Sequence, residues 1–281
     1  MLSFLRSYYF FRFGEDLSRD MDTVFEQAMC DSWWIQDNGV VVQRPEITYL
    51  KSIHNLRLYN AVLRISPQYK DVEKLVYEVM EAHQGRGSEW RIGSPSYTPR
   101  LEKSVQNAGY KEDGVADAWS IDVSCSRRAA SNDVYIRKVM NLQQMRDMDR
   151  VMQLSFSKPN PKENALLKQE LLLCLGEKPR CFLFVAYDKC TDEPISAGGV
   201  NMFADLSFAF MWGGCTVPHA RGKGAYSALV TKRMQIARAY GIERIGLYAM
   251  RDTSGPIVEA QGFDKHGPVY FWGRDNTPIV P

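Results

Sequence analysis

The residues best suited to chemistry lie in one short stretch, Cys215-Thr-Val-Pro-His-Ala-Arg-Gly-Lys-Gly-Ala-Tyr-Ser-Ala-Leu229. It reads as a strand feeding a helix through a basic, glycine-rich turn. Gly222 and Gly224 have no Cβ, so the backbone there can take positive φ and approach a ligand closely. The first N–H groups of the following helix have no partner within it and point into the turn. With the helix dipole they form an anion site that suits a pyrophosphate, and Arg221 and Lys223 add positive charge. A tight strand–helix connection with a solvated basic tip would carry the same residues. Two other phosphate-binding patterns are excluded: Lys223 is followed by Gly224 rather than Ser or Thr, and only one Gly-x-Gly is present.

The elements that must position this turn are readable through the second half of the chain. A strand at 134–139 precedes a helix from Asn141, its N-cap, to Phe156. Pro159-Asn-Pro161 opens a second helix that stops at Gly176. Strands follow at Cys181–Tyr187, Ile195–Met202 and about 206–217, then a helix from Gly224 or Ala225 to Gly241. A strand Arg244–Met250, a short helix at 254–261 and a strand Val269–Trp272 close the chain. The order β-α-α-β-β-β-α-β-α-β predicts a mixed sheet in an α/β domain. The first half predicts helices at Met21–Trp34, Val72–His83 and Leu101–Ala108, and strands at Asn60–Ile65, Glu89–Ile92 and Trp119–Val123. The small, polar stretch Ser124–Asp133 marks a boundary near residue 130, dividing the chain into 1–130 and 131–281.

Composition bounds the rest. The chain has 281 residues, 45% hydrophobic and 24% charged, which excludes a disordered chain and a disulfide-dense miniprotein. Lys+Arg 35 against Asp+Glu 33 leaves +2, too even for a nucleic-acid or anionic-membrane binder. The six cysteines are dispersed and the four histidines unpaired, so free thiols and no metal site are expected. Arg6 and Arg12 interrupt the aromatic N-terminus, and no stretch approaches the roughly 20 apolar residues of a membrane span. A cytoplasmic protein is expected.

Arg221-Gly-Lys-Gly-Ala-Tyr226, followed by Ser-Ala-Leu-Val, resembles motif A of the GNAT acyltransferases, Arg/Gln-x-x-Gly-x-Gly/Ala. Ser254-Gly-Pro-Ile-Val-Glu-Ala-Gln-Gly-Phe263 resembles that family's last helix and its Gly-Phe ending. The resemblance covers roughly residues 134–281. Asn107-Ala-Gly-Tyr110 before a terminal strand makes the first half look like a degenerate copy without the cofactor turn. The implied fold class is α/β: two GNAT-like domains, each a mixed, mostly antiparallel twisted sheet flanked by helices.

The resemblance implies acetyl-CoA as cosubstrate, its pantetheine pairing with the backbone of Cys215, Thr216 and Val217 in a gap between splayed strands. The pyrophosphate would rest on Gly222, Lys223, Gly224, Ala225 and Tyr226 with Arg221 nearby, and Ser254 would complete the cofactor contacts. A backbone N–H beside the thioester would polarise its carbonyl for attack by an amine of a small molecule or peptide. The amine must first lose a proton. Asp205 is the nearest carboxylate, with His219 second, and Tyr248 and Tyr270 are expected to face the gap. Trp212 and Met211, with Trp33 and Trp34 of the first half, read as core or as an apolar acceptor pocket between the halves.

Two positions depart from the family pattern. Tyr226 stands where Gly or Ala is usual, and Val258 stands where many relatives have a tyrosine that protonates the leaving thiolate. The alternative to an enzyme is therefore a non-catalytic acyl-CoA-binding module. Neither nucleic acid nor membrane is expected as a partner, and the protein would be a monomer or homodimer.

Overall fold

A computed structural model describes residues 20–35, 39–125, 133–156, 162–176 and 179–275. The first half contains α1 (Met21–Cys30), β1 (Gly39–Gln43), β2 (Ile47–Ser52), β3 (Ala61–Ile65), α2 (Val72–Ala82), β4 (Ser88–Gly93), α3 (Pro99–Asn107) and β5 (Lys111–Asp122). The second contains β6 (Val134–Lys138), α4 (Leu142–Phe156), α5 (Asn164–Leu175), β7 (Cys181–Asp188), β8 (Pro194–Phe203) and β9 (Phe208–Thr216). It ends with α6 (Ala225–Ala239), β10 (Arg244–Met250), α7 (Gly255–Ala260) and β11 (Asp264–Arg274). Asn141 does cap α4, its Oδ1 accepting from Gln144 N at 3.0 Å. Pro159 and Pro161, expected to open α5, and the boundary near residue 130 lie outside the described residues.

The eleven strands of the described residues form one sheet, in the order β1-β2-β3-β4-β11-β5-β10-β9-β8-β7-β6. The halves share it by trading their last strands. β11, from the second half, lies between β4 and β5, while β5, from the first, lies between β11 and β10. Tyr270 is carried away by this exchange. It pairs with Ile92 and Val115 and stacks on Tyr97, with β5 and β10 standing between it and β9.

The two halves repeat the same local device before their last strands. Gly109 and Gly262 both adopt the left-handed region, at φ +84 and +76, and end α3 and α7. Tyr110 N donates back to Val105 O, and Phe263 N back to Val258 O. Only glycine enters that region without a steric penalty, which is why the Gly-aromatic pairs were visible in the sequence.

Alternation along the strands sends side chains to two separate cores. In the first half Tyr49, Val62 and Trp90 pack beneath α2 and α3, while Leu50, Ala61 and Leu63 face α1. Helix α1 also covers the second half, its Phe25 meeting Phe208 edge-on at 4.9 Å. α4 and α5 continue that layer, and α6 packs on the opposite face.

Asp117 of β5 stitches the exchange together. It is buried, 3% exposed, and takes hydrogen bonds from Arg251 Nη2 at 2.7 Å and Lys265 Nζ at 2.8 Å, both from the second half. Burial alone would raise its pKa, but the hydrogen bonds and charges of Arg251 and Lys265 outweigh it and hold the carboxyl below its usual value. Its stabilisation is therefore complete above the ordinary carboxylate range and is lost as pH falls through the lowered value. Asp117→Asn should cost about 1–3 kcal/mol at neutral pH, allowing for the half-exposed partners, and should flatten the acid limb of a stability–pH curve measured by urea unfolding. Residues 131–281 expressed alone should lack cooperative unfolding in calorimetry, because β10 loses β5 and β11 loses both neighbours.

Candidate functional site

β9 and β10 run parallel, and they pair only at Phe208–Phe210 with Arg244–Gly246. Beyond those three positions the strands part, leaving a gap between their C-terminal ends. Seven consecutive pairs with β5 hold β10 on its far side, so the gap opens on the β9 side alone. The turn from β9 to α6 stands at its mouth.

Within the turn Gly222 and Gly224 take φ +79 and +80, as the reading of the motif requires. Gly224 is the N-cap of α6 and has no side chain to satisfy the first N–H groups. A Cβ on Gly222 would meet nothing within 4 Å, so its conformation rather than crowding demands glycine. Arg221 and Lys223 are exposed, and Arg221 Nε donates to Thr216 O at 3.3 Å. These residues can bind a polyanion.

The expectation for the strand edge is corrected in part. In an antiparallel ladder the N–H and C=O of alternate residues face opposite edges. Val217 N donates to Ile195 O at 2.9 Å, and the Cys215 carbonyl accepts from Ser196 Oγ at 2.6 Å, so both residues turn toward β8. Thr216 therefore presents its backbone to the gap. Ser254 stands at the mouth beside β10, its Oγ accepting from Met250 N at 2.9 Å. Tyr226, the departure in the motif, turns away from the turn's anion site. Its ring lies against the sheet, 2.8 Å from where a Cβ of Gly214 would be.

The candidate catalytic residues are scattered. Asp205 belongs to the 3-10 turn before β9, at the paired end, and the length of β9, roughly 26 Å at ~3.3 Å per residue, separates it from Thr216. His219 is exposed in the turn, with Nε2 3.5 Å from Glu193. Tyr248 lies two residues past the last β9–β10 pair, in the gap. It stacks on Phe25 at 5.3 Å and meets Phe210 edge-on at 5.1 Å. Burial raises its phenol pKa, so at neutral pH it holds its proton. Val258, where relatives place a tyrosine, is fully buried core.

Trp212 forms a wall of a pocket between β9, α4 and α5, lined also by Met145, Met148, Met152, Asp149 and Glu170. Trp33 and Trp34 do not line it. Trp34 instead stacks obliquely on Tyr59 at 5.9 Å, and Tyr59 OH donates to Glu170 at 3.1 Å, so the first half does reach the pocket's edge. Lys162 Nζ donates to the same carboxylate at 2.6 Å. Sequence reasoning missed Asp149 and Glu170, since helical carboxylates usually mark a solvated face.

Beside this pocket four glycines thin the sheet. Ala197 pairs with Cys215 but Gly199 with Trp212, so Gly198 opposes a bulge at Gly213 and Gly214, with Gly213 at φ +60. On one face, Cβ atoms would strike Trp212 from Gly199 at 2.5 Å and reach Met152 from Gly213 at 3.0 Å. On the other, a Cβ on Gly198 would lie 2.9 Å from Arg233 of α6.

Comparison with known proteins agrees with this geometry. Residues 145–257 match the model of the acetyltransferase (GNAT) family. Search among curated proteins returns no match. Among solved structures, a GCN5-related N-acetyltransferase from Kribbella flavida superposes at TM-score 0.67 with 10% identity, covering 94% of this chain and 98% of that one. A GCN5-related N-acetyltransferase from Sphaerobacter thermophilus gives 0.56 with 14% identity, covering 84% and 82%. A tandem GNAT protein from the clavulanic acid biosynthesis pathway gives 0.56 with 10% identity, covering 92% and 88%. At such identities these likenesses speak for the fold, while the segment 145–257 carries the family assignment. The splayed strands, the glycine turn and the matched segment agree: residues 145–257 form a GNAT acetyltransferase domain, in a chain whose overall fold is like that of GNAT proteins.

Proposed function

We propose that the protein is an acetyl-CoA-dependent N-acyltransferase acting on an amine of a small molecule or peptide. The observation that carries this reading is the parting of β9 from β10 directly behind an uncapped helix N-terminus flanked by two positive-φ glycines. In that arrangement the pyrophosphate binds the turn and the pantetheine enters the gap, pairing with Thr216. The thioester then lies near the Gly213–Gly214 bulge, where an outward backbone N–H can polarise its carbonyl and hold the tetrahedral oxyanion.

The acceptor's amine is placed beside the Trp212 pocket, which in this structure has room for little more than a water molecule and must widen to admit a substrate. Asp149 and Glu170 give that pocket negative charge for an ammonium group, offset in part by Lys162. After losing a proton to solvent the amine attacks the thioester carbonyl, the C–S bond breaks, the acyl group passes to nitrogen and the nitrogen gives up its second proton to water. Tyr248, on β10 just past the last β9–β10 pair, is the candidate for giving the departing thiolate its proton, although burial makes its phenol a weaker acid than usual. We place the reaction in the cytoplasm, with residues 131–281 as the transferase domain and 1–130 as a domain without a cofactor site. In the first half the corresponding connection, Ser66–Asp71, has no glycine and brings Asp71 and Glu73 to the start of α2, which repels an anion.

A second reading, an acyl-CoA-binding module without transfer, draws on one observation: Val258 is core and offers no acid. Release of free CoA thiol from acetyl-CoA in the presence of an amine panel separates the two readings. Calorimetry should show acetyl-CoA binding. Gly222→Ala with Gly224→Ala, each forcing about 1–2 kcal/mol of backbone strain, should weaken it by at least about 10-fold. Tyr248→Phe should lower kcat by about 10²-fold with little change in acetyl-CoA affinity. Trp212→Ala should raise the acceptor KM by about 10-fold while circular dichroism stays unchanged, and an unaltered KM would place the acceptor elsewhere.

A further inference from the structure

Arg233 is a charged residue in the middle of α6 that is 1% exposed. Its Nε donates to Leu229 O at 3.1 Å, one turn back on its own helix, and its Nη1 donates to Gly199 O at 3.4 Å. Nη2 is buried without a hydrogen-bond partner. No carboxylate pairs with it among the described residues; Tyr226 is its polar neighbour, with the ring centroid 5.9 Å from the guanidinium carbon and the phenol favouring the charged form. Guanidinium remains protonated in proteins, so this is a full positive charge in the interior with part of its hydrogen-bonding capacity unused.

Removing such a charge from water costs several kcal/mol, and an apolar side chain of similar volume is often the more stable occupant. The local sequence nevertheless clears space for it. A Cβ on Gly198 would come within 2.9 Å of Nη1, and one on Gly214 within 3.4 Å of Nη2. Tyr226 closes the cavity from the helix side. The charge therefore presses against bare backbone at the bulge, and Trp212 and Met152 occupy the other face of the same few residues.

We propose that Arg233 is a positioning residue for acyl transfer, a cation held behind the Gly213–Gly214 bulge so that its field reaches the acyl carbonyl on the strand's open side. This rests on the transferase reading given above. The guanidinium does not touch the substrate; it acts through the intervening backbone, strengthening the polarity of the N–H that faces the carbonyl and attracting the oxyanion as it forms. The bulge brings the two together because no side chain lies between them. In a low-dielectric interior a full charge several ångströms from a developing oxyanion corresponds to about 10–100-fold in rate.

The test combines turnover with a spectroscopic readout on bound acetyl-CoA. In the wild-type protein the thioester carbonyl stretch, measured by isotope-edited infrared difference spectroscopy, should fall below its value in buffer. Arg233→Met, which keeps volume and removes charge, should unfold at the same temperature or higher and bind acetyl-CoA within about 3-fold of wild type. Its carbonyl stretch should move back toward the value in buffer, and kcat should fall by about 10–100-fold with acceptor KM little changed. Arg233→Lys should keep most of both effects. A merely structural arginine would lose stability on substitution and leave the carbonyl frequency where it was. If Arg233→Met shows wild-type frequency and kcat, the proposal is overturned. Should that variant not fold, an unshifted carbonyl in the wild type overturns it as well. Failure of wild type to bind acetyl-CoA would instead remove the transferase reading on which the proposal rests.

Discussion

The gap at the candidate site depends on β10 being held from behind. Two parallel strands that pair at three positions and then separate expose backbone groups on both inner edges, and a sheet left to itself would close or fray there. Seven antiparallel pairs with β5 fix β10 in place, and β8 does the same for β9. Since β5 comes from the first half, the opening in the second half is maintained by a strand from outside the segment that carries the turn. Asp117, bonded to Arg251 and Lys265, adds a charged fastening at the same junction.

The glycine pairs reveal a second constraint. A strand normally separates the layers on its faces by its own side chains. Gly198, Gly199, Gly213 and Gly214 remove those side chains over a small patch, so Trp212 and Met152 approach from one face while Arg233 and Tyr226 approach from the other. The same patch carries a bulge, which breaks the regular ladder next to the open edge. Tyr226 gains a reason here: its aromatic ring fills the space above Gly214 and lies against the guanidinium.

Much of this was legible in the sequence, and the boundary of legibility is physical. The turn was readable because positive φ requires glycine and an anion needs charge, both local properties of Arg221–Gly224. The elements of the second half follow from periodicity within each segment. β1 is not legible because its exposed edge strand lacks alternating burial, and β2 because its residues are buried almost continuously. The exchange of β5 and β11 could not be read, since pairing partners more than a hundred residues apart leave no mark on local pattern. Asp205 is near β9 in sequence, yet it sits at the strand's paired end, away from the gap. Arg233 was invisible for a different reason. A basic residue in an amphipathic helix reads as solvent-facing, and only the two glycines opposite it, Gly198 and Gly214, signal otherwise.

The traded strands also bear on how the fold responds to dilution. Two separate chains that completed each other's sheets would come apart as their concentration fell, because each folded unit would depend on an encounter. Here the connection between β5 and β6 makes that encounter intramolecular, and the effective concentration of each completing strand is set by the tether rather than by the amount of protein present. The shared sheet, and with it the held-open gap, therefore persists at any expression level at which a single chain can fold.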